Sequence, residues 1–455
     1  MQTWEYSSEF ALRSYVYLAP LHLLSQSYLH LFPFSPKTTL FYLLRATLAG
    51  FTGYAETEFA KSISDVEELS LTVLFSSVSS AGFFHASGAL LPSATVMQCL
   101  MLSIAGYFRN HPLRAAFWAA WAILLTGWPF GAVLFLPVAL GVLGMLLRRR
   151  HYRSVGTVAV MASCMVLLGA CVDRVGYGAW RATTWNVFTY NASSGGDQLY
   201  GVEPFSYYTK NLLLNFNVLT LLFLLGVPLG ILQGGKMRTL AFSALSWCLI
   251  VGSRPHKEER FLYPLYPLLC ALAVLPLHLL PRFKRAALVL VLLPSALVSC
   301  ARCAALVRHY AAPLHLHHHF YHATNTDAAR LCTAGEWHRF PSSYFLPGRS
   351  RLLFLKSSFR GQLPAHSLDF SQPDAPFNDA NREEPSRYAQ PEECDFLVEF
   401  SENSEDRLGF REVEGWPFLD AAGSSVLGRS VYVPFLGLGR VKFGRYALFQ
   451  READL

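Results

Sequence analysis

The chain has 455 residues and a formal net charge of +7, with 52% hydrophobic residues, 15% charged residues and a mean hydropathy of +0.28. An ordinary soluble domain carries about 25% charged residues, and disordered chains combine high charge with few apolar residues. The composition therefore excludes intrinsic disorder. It also argues against a soluble enzyme, because so much apolar surface needs lipid to cover it.

The charged residues are distributed unevenly along the chain. Residues 1–306 contain 22 basic and 12 acidic side chains, whereas residues 307–455 contain 16 basic and 19 acidic ones. This asymmetry predicts a membrane part followed by a soluble part. We expect a lumenal N-terminal segment at 1–37, a polytopic transmembrane domain of about nine or ten helices at 38–306, and a C-terminal lumenal domain at 307–455.

Apolar segments that reach the length of about 20 residues needed to cross a bilayer recur through the first two-thirds of the chain. They lie at 38–60, 68–86, 89–108, 114–147 (long enough for two), 154–175, 211–232, 237–254, 259–280 and 285–306. The predicted fold class is a multi-pass α-helical membrane protein with a C-terminal soluble domain of mixed α/β structure.

Basic clusters between these segments predict the orientation, because cytosolic loops carry an excess of Lys and Arg. The strongest cluster, Arg148–Arg150, places its loop in the cytosol. Alternation then puts the loop 176–210, the turn 254–259 and the tail on the far side, and the other basic clusters fall in cytosolic loops. The only N-x-S/T sequon, at Asn191, lies in the loop 176–210, which supports this orientation because glycosylation requires lumenal exposure.

The turn RPHKEERF at 254–261 is the most informative segment. Its ionisable residues are Arg254, His256, Lys257, Glu258, Glu259 and Arg260. Charged groups at a membrane edge are costly unless paired or solvated, and indicate function by default. The four basic side chains suit phosphate binding, and either glutamate is suited to orient them or to act as a base. The alternative is a solvated hairpin turn, but a plain turn needs fewer polar residues.

Two further segments combine aromatic residues with carboxylates. The first is the loop 185–205, with Asp197, Tyr200 and Glu203, and the second is the N-terminal run Trp4-Glu5-Tyr6. An aromatic ring packs against the apolar face of a sugar while a carboxylate accepts its hydroxyl hydrogens. An interfacial aromatic belt is the alternative for the loop. From its residues alone, the N-terminal run is an ordered terminus.

The tail predicts a compact α/β domain with strands at 352–355, 396–400 and 431–435 and a long loop at 373–391. Cys332 and Cys394 are the only cysteines in the tail, and whether they form a disulfide in an oxidising compartment stays open. The histidine run 315–322 is either a zinc site or a surface run. We favour the surface run, because no carboxylate or cysteine is close in sequence.

Several stretches resemble one enzyme family. They are QTWEYS at 2–7, NVFTY at 186–190, LYGVEPFSYY at 199–208, NFNV at 215–218, HKEERFLYPLYPL at 256–268, FPSSYFLP at 340–347, FRGQLP at 359–364 and EEPSRY at 383–388. They are similar to the endoplasmic reticulum (ER) alpha-1,2-mannosyltransferases of lipid-linked oligosaccharide assembly, which belong to the multi-spanning GT-C glycosyltransferases. The HKEERF-type motif is shared with the GPI-anchor mannosyltransferases, which remain the alternative relatives.

The resemblance implies inverting transfer of mannose from dolichyl phosphate mannose to a dolichyl-diphosphate-linked high-mannose glycan in the ER lumen. Such a displacement needs a carboxylate base for the acceptor hydroxyl and cations for the leaving phosphate. The resemblance implies no metal or other cofactor. No nucleic-acid partner is expected either, because the basic residues are spread over separate turns.

The family also has an acidic pair, thought to supply the base, in a lumenal loop that ends near the position of Met1. We therefore expect an N-terminally truncated member of the family, in which Glu5 and Glu258 are the candidate bases. A non-catalytic isoform is the alternative. A transporter is disfavoured, because the charges lie in turns rather than near the membrane midplane.

Overall fold

In a computed structural model, the chain is described over residues 3–64, 67–148, 152–192, 196–280, 282–324, 328–365, 377–401 and 409–452. It forms two compact units. The helical unit comprises Ala11–Leu24 and Leu44–Cys300. The sheet unit comprises Met1–Phe10, Ser25–Leu43 and Ala301–Leu455.

Most of the described chain is helical. The helices are α1 Ala19–Leu31, α2 Lys37–Ile63, α3 Glu67–Val78, α4 Ala81–Ala86, α5 Pro92–Phe108, α6 Pro112–Leu124, α7 Ala132–Arg148, α8 Tyr152–Tyr177, α9 Thr183–Ala192, α10 Ser206–Phe216, α11 Val218–Gln233, α12 Gly235–Ser253, α13 Tyr266–His278, α14 Lys284–Tyr310, α15 Ala312–Ala323 and α16 Val426–Ser430. Short 3₁₀ helices include Trp4–Tyr6, Gly196–Tyr200 and Glu259–Leu265.

Within the described residues, four helical segments are long and apolar enough to cross a membrane. They are Pro129–Arg148, Tyr152–Tyr177, Glu259–His278 and Lys284–Tyr310. The pair α10 and α11, which meet at an angle of 113°, forms a fifth if the pair is one broken span. The mostly helical, membrane-type architecture expected from the sequence is therefore confirmed. The count of about nine or ten crossings and the domain boundaries at 37 and 306 stay predictions.

Helix α13 lies at the centre of the helical unit, and 11 of its 13 residues are buried. Helix α11 crosses it closely at Gly226, where a Cβ atom would lie 2.0 Å from the carbonyl oxygen of Leu272. Small residues allow helices in membranes to pack at such short distances. The close crossing holds the middle of α13, which follows the 3₁₀ helix Glu259–Leu265 at the end of the charged turn.

Polar contacts join loops of the helical unit that the sequence assigns to the same side. Lys236 Nζ donates to the carbonyl of Ser62 at 2.7 Å, which links two loops expected in the cytosol. The backbone N–H of Glu203 donates to the carbonyl of Pro255 at 3.1 Å, which links two loops expected on the far side. The loops thus group at two ends, as an alternating path requires.

The sheet unit contains a five-stranded mixed sheet. Its strands are β1 Arg330–Thr333, β2 Arg351–Phe354, β3 Phe396–Ser401, β4 Phe410–Leu419 and β5 Phe443–Arg451, in the order β2-β1-β3-β5-β4. β1 runs parallel to β2 and β3, and β5 is antiparallel to β3 and β4. Cys332 and Cys394 form a disulfide across a sequence separation of 62, which settles the pairing that the sequence left open.

One expected strand is wrong. Residues 431–435 form no strand but lead into a tight turn, in which the N–H of Leu436 donates to the carbonyl of Val433 at 3.2 Å. Pro434 in this segment has no N–H to give to a ladder, which accounts for the difference. The expected strands at 352–355 and 396–400 coincide with β2 and β3. Residues 373–376 of the expected long loop lie outside the described residues.

Candidate functional site

The charged turn forms because two helices end where their sequences require it. Helix α12 stops at Ser253, and Pro255 prevents its continuation, since proline has no N–H and disfavours a helical residue before it. Glu258 then precedes the 3₁₀ helix Glu259–Leu265, which leads into α13. The ionisable side chains are thus held on irregular backbone between two apolar helices.

Lys257 connects this turn to the preceding aromatic loop. Its side chain is buried, and Nζ donates to the carbonyl of Glu203 at 3.2 Å and to the carbonyl of Arg254. Burial of an ammonium group is costly unless its N–H groups are bonded. The geometry therefore makes Lys257 a positioning residue that fixes the loop near Glu203. Its expected role as a phosphate ligand stays a prediction.

Glu258 is the centre of the charge network. Its Oε1 accepts from Arg260 Nη2 at 2.6 Å and lies 3.0 Å from His256 Nε2. His256 Nδ1 lies 2.9 Å from the carbonyl of Gly201. An imidazole that contacts oxygen acceptors at both nitrogens is best satisfied when protonated, because only the cation donates from both.

The electrostatics agree with a charged pair. The hydrogen bond to Glu258 raises the pKa of His256 above its usual value. Burial raises the pKa of Glu258, but the hydrogen bond from His256 and the charge of Arg260 outweigh it, so this pKa lies below its usual value. At pH values between the lowered pKa of Glu258 and the raised pKa of His256, the turn therefore presents an ionised carboxylate between two cations. A carboxylate with a lowered pKa suits a positioning role better than that of a base.

The aromatic loop supplies the remaining side chains around the turn. The ring of Tyr200 lies 6.2 Å from that of His256, centroid to centroid, and the carboxylate residue Glu203 is exposed. Arg254 Nη2 donates to the carbonyl of Asn191 at 3.2 Å. Asp197 belongs to the 3₁₀ helix Gly196–Tyr200, and its side chain lies outside the described part. The structure thus brings the phosphate candidates together with Tyr200 and Glu203.

The N-terminal candidates belong to the sheet unit. Trp4, Glu5 and Tyr6 form a 3₁₀ helix, in which the Trp4 ring contacts Phe10 edge to face at 5.4 Å. Their assignment to sugar binding, and that of Glu5 to base catalysis, stay predictions.

A second polar cluster surrounds Glu259, whose partners were not expected from the sequence. Glu259 Oε1 accepts from Asn215 Nδ2 at 2.8 Å and lies 3.5 Å from the hydroxyl of Tyr266. His85 Nε2 lies 2.6 Å from the same oxygen, in a geometry that suits an ion pair better than an aligned hydrogen bond. Asn215 is part of the NFNV motif. His85 could have been identified from the sequence, because it is an ionisable residue within an apolar segment.

Another buried carboxylate has a structural role. Asp173 accepts from Ser14 Oγ at 2.9 Å, from the N–H of Tyr15 at 2.8 Å and from Thr183 Oγ1 at 2.8 Å. It ties the segment before α1 to the end of α8 and the start of α9. A carboxylate occupied by three donors is poorly placed to accept a proton from a substrate.

The histidine run contributes to packing within the sheet unit. His317 is buried, with Nδ1 2.6 Å from the carbonyl of Pro313, and His315 stacks on Trp416 at 4.8 Å. Over the described ranges, no group of three or more His, Cys, Asp or Glu side chains is arranged to hold a metal ion.

Comparison with known proteins identifies the family of the chain. The sequence profile of the Alg9-like mannosyltransferase family matches residues 1–347. The chain is 34% identical to the alpha-1,2-mannosyltransferase ALG9 of Mus musculus and 34% identical to that of Homo sapiens, in each case over 96% of this chain and 79% of the relative. It is 30% identical to the alpha-1,2-mannosyltransferase alg9 of Schizosaccharomyces pombe, over 99% of this chain and 88% of the relative. No solved structure matches the chain significantly. The chain belongs to the Alg9-like mannosyltransferase family.

Proposed function

We propose that this protein transfers mannose from dolichyl phosphate mannose, in alpha-1,2 linkage, to a dolichyl-diphosphate-linked high-mannose oligosaccharide in the ER lumen. The similarity to alpha-1,2-mannosyltransferases over nearly the whole chain supports the reaction. The observation that carries the site is the convergence of His256 and Arg260 on Glu258, at 3.0 and 2.6 Å. This pair of cations is held in place before any substrate binds.

The donor phosphate is the anion that this turn is suited to bind. Arg260 offers a planar guanidinium fork, and the protonated His256 offers a second charged donor. Arg254, exposed at the start of the turn, is the third cation. Glu258 orients Arg260 and His256, and Lys257 fixes the neighbouring loop near Glu203. Preorganised cations of this kind stabilise the charge that develops on a leaving phosphate.

The reaction itself is one displacement at the anomeric carbon. The acceptor hydroxyl oxygen forms the new bond to C1 of mannose while the bond from C1 to the phosphate oxygen breaks. The hydroxyl proton goes to a carboxylate, and the electron pair leaves with dolichyl phosphate. Glu5 and Glu258 are the proposed candidates for this base, and the lowered pKa of Glu258 favours Glu5.

Sugar recognition falls to the aromatic and acidic residues beside the turn. Tyr200 and Glu203 lie next to His256 and Lys257, and we assign them, with Asp197, Trp4 and Tyr6, to contacts with mannose or the acceptor. The same end of the helical unit carries the sequon at Asn191. This places the site on the lumenal side of the ER membrane if that asparagine is glycosylated.

The test is a transfer assay with the purified chain in proteoliposomes, supplied with dolichyl phosphate mannose and a lipid-linked oligosaccharide acceptor. The expected product is heavier by one mannose and loses it again to an alpha-1,2-specific mannosidase. A product resistant to that mannosidase contradicts the linkage. Transfer that proceeds equally from a nucleotide-activated mannose contradicts the proposal that dolichyl phosphate mannose is the donor.

A further inference from the structure

An exposed apolar patch lies on the sheet unit between β4 and β5. Its side chains are Val426, Leu427, Phe435, Leu436 and Leu438, all exposed. The N–H of Ser425 donates to the carbonyl of Arg440 at 2.9 Å, and Gly428 packs directly against Gly439. These contacts hold α16 against the loop 433–440, and we call the five exposed side chains that the two segments carry the apolar patch.

The tip of the apolar patch is built in an unusual way. The turn from Val433 to Leu436 closes with a backbone hydrogen bond, and Phe435 at its third position has a φ of 66°. Turns with proline second and a positive φ third favour glycine at that third position, since other side chains are strained there. Phe435 is nevertheless fully exposed, at 106% of its reference area. A strained aromatic side chain without burial in the fold points to contact with an external partner.

The apolar patch is tied to the end of a helix that can cross a membrane. The N–H of Tyr432 donates to the carbonyl of Ala301 at 2.9 Å, and Arg302 Nη1 donates to the carbonyl of Ser430 at 3.2 Å. Both acceptor and donor lie near the end of α14, which is long and apolar enough to span a bilayer. A helix needs about 20 residues to cross a hydrocarbon layer of about 30 Å. A crossing that begins at Lys284 therefore ends close to residue 303. The contacts with the patch therefore lie about 20 residues along α14, the helix length that a hydrocarbon layer takes up.

The charge around the apolar patch suits a lipid surface. The stretch 421–451 contains five basic residues and no acidic one, although Lys442 and Arg445 pair with Asp420 and Glu412. Arg440 is exposed beside the patch. The guanidinium of Arg308, also exposed, lies 4.5 Å from the centre of the Tyr432 ring. Apolar and aromatic side chains rimmed by Arg are typical of surfaces that bind at the membrane interface, where phosphate groups meet acyl chains.

We propose that the apolar patch docks into the lipid bilayer at the boundary between headgroups and hydrocarbon, beside the end of α14, and that Phe435 is its inserted side chain. Val307 and Tyr310, on the last turns of α14, are also exposed apolar side chains. Docking would hold the sheet unit at the membrane surface. The inference does not rest on the proposed transferase reaction, because lipid contact is independent of catalysis.

The test is photo-cross-linking of the full chain in proteoliposomes of phosphatidylcholine with phosphatidylinositol. A benzophenone amino acid, p-benzoylphenylalanine, replaces Phe435 in one variant and Leu438 in a second. The matched control carries it in place of Val413, an exposed apolar residue on β4. Because all three side chains are exposed, the replacements leave the fold intact.

The expected result is at least a tenfold higher yield of phospholipid adduct at 435 and 438 than at 413, measured by mass spectrometry of the digested protein. Equal yields at the three positions overturn the proposal. Adducts at 435 to a polypeptide instead of lipid also overturn it, and indicate a protein partner or a second copy of the chain.

Discussion

The substitution Lys257→Ala separates a structural role in the charged turn from a substrate-binding role. The buried ammonium makes two hydrogen bonds to backbone carbonyls, of Glu203 and Arg254. A hydrogen bond from a charged group contributes about 1.5–3 kcal/mol, and part of this offsets the cost of burying the charge. We expect a net loss of about 3 kcal/mol in the free energy of unfolding. At roughly 2–4 °C per kcal/mol, the melting midpoint falls by about 6–12 °C.

Thermal unfolding in detergent, followed by tryptophan fluorescence, measures this shift. The matched control is Lys210→Ala, since Lys210 is exposed on α10; such surface changes stay within about 0.5 kcal/mol. A Lys257→Ala variant with an unchanged midpoint and a raised KM for dolichyl phosphate mannose would refute the structural role. It would instead support the phosphate contact expected from the sequence.

Three further predictions concern His256, the disulfide of the sheet unit and the close helix crossing at Gly226. The pKa of His256 is raised, so its contribution to donor binding is complete below its usual pKa of about 6.5 and is lost as the pH rises through the raised value. Glu258→Gln removes the main cause of the raised pKa. A pH profile of KM for the donor should therefore show the loss of binding at lower pH in this variant. Cys394→Ala opens a disulfide that spans 62 residues and should destabilise the sheet unit by about 4 kcal/mol. Protease susceptibility of that unit measures this effect, and an unchanged susceptibility would contradict it. Gly226→Ala brings a Cβ to 2.0 Å from backbone and should lower the melting midpoint, whereas Gly144→Ala, with open space around it, should leave it unchanged.

The general position of the site was predictable from the sequence, because its signal is local. Charged residues between two apolar helices stand out in composition alone, and the structure places His256, Glu258 and Arg260 in one network there. The role of Lys257 was not predictable. Its partner carbonyl belongs to Glu203, 54 residues earlier, and a backbone carbonyl has no sequence signature.

The difference between local and non-local signals also explains which strands of the sheet unit were predicted. β3 was predicted because Phe396, Leu397 and Val398 form a short run of residues that favour strands. β4 contains Gly415 and Pro417, both weak strand formers, and is stabilised by its long pairing with β5. The segment 431–435 has strand-like composition, but its turn satisfies the backbone instead. Non-local pairing, which local patterns do not encode, decided β4, whereas Pro434 is the local signal against a strand at 431–435.

The most direct test of the account compares His256→Ala and Arg260→Ala with a matched control, Arg238→Ala, in the reconstituted transfer assay. Arg238 bonds only locally, through Nε to the carbonyl of Ile231 among the contacts described. We predict that both site variants raise KM for dolichyl phosphate mannose at least tenfold, with alpha-1,2-linked product still formed at saturating donor, and that the control matches the parent chain. Unchanged donor KM in both site variants would contradict the claim that this turn holds the donor phosphate.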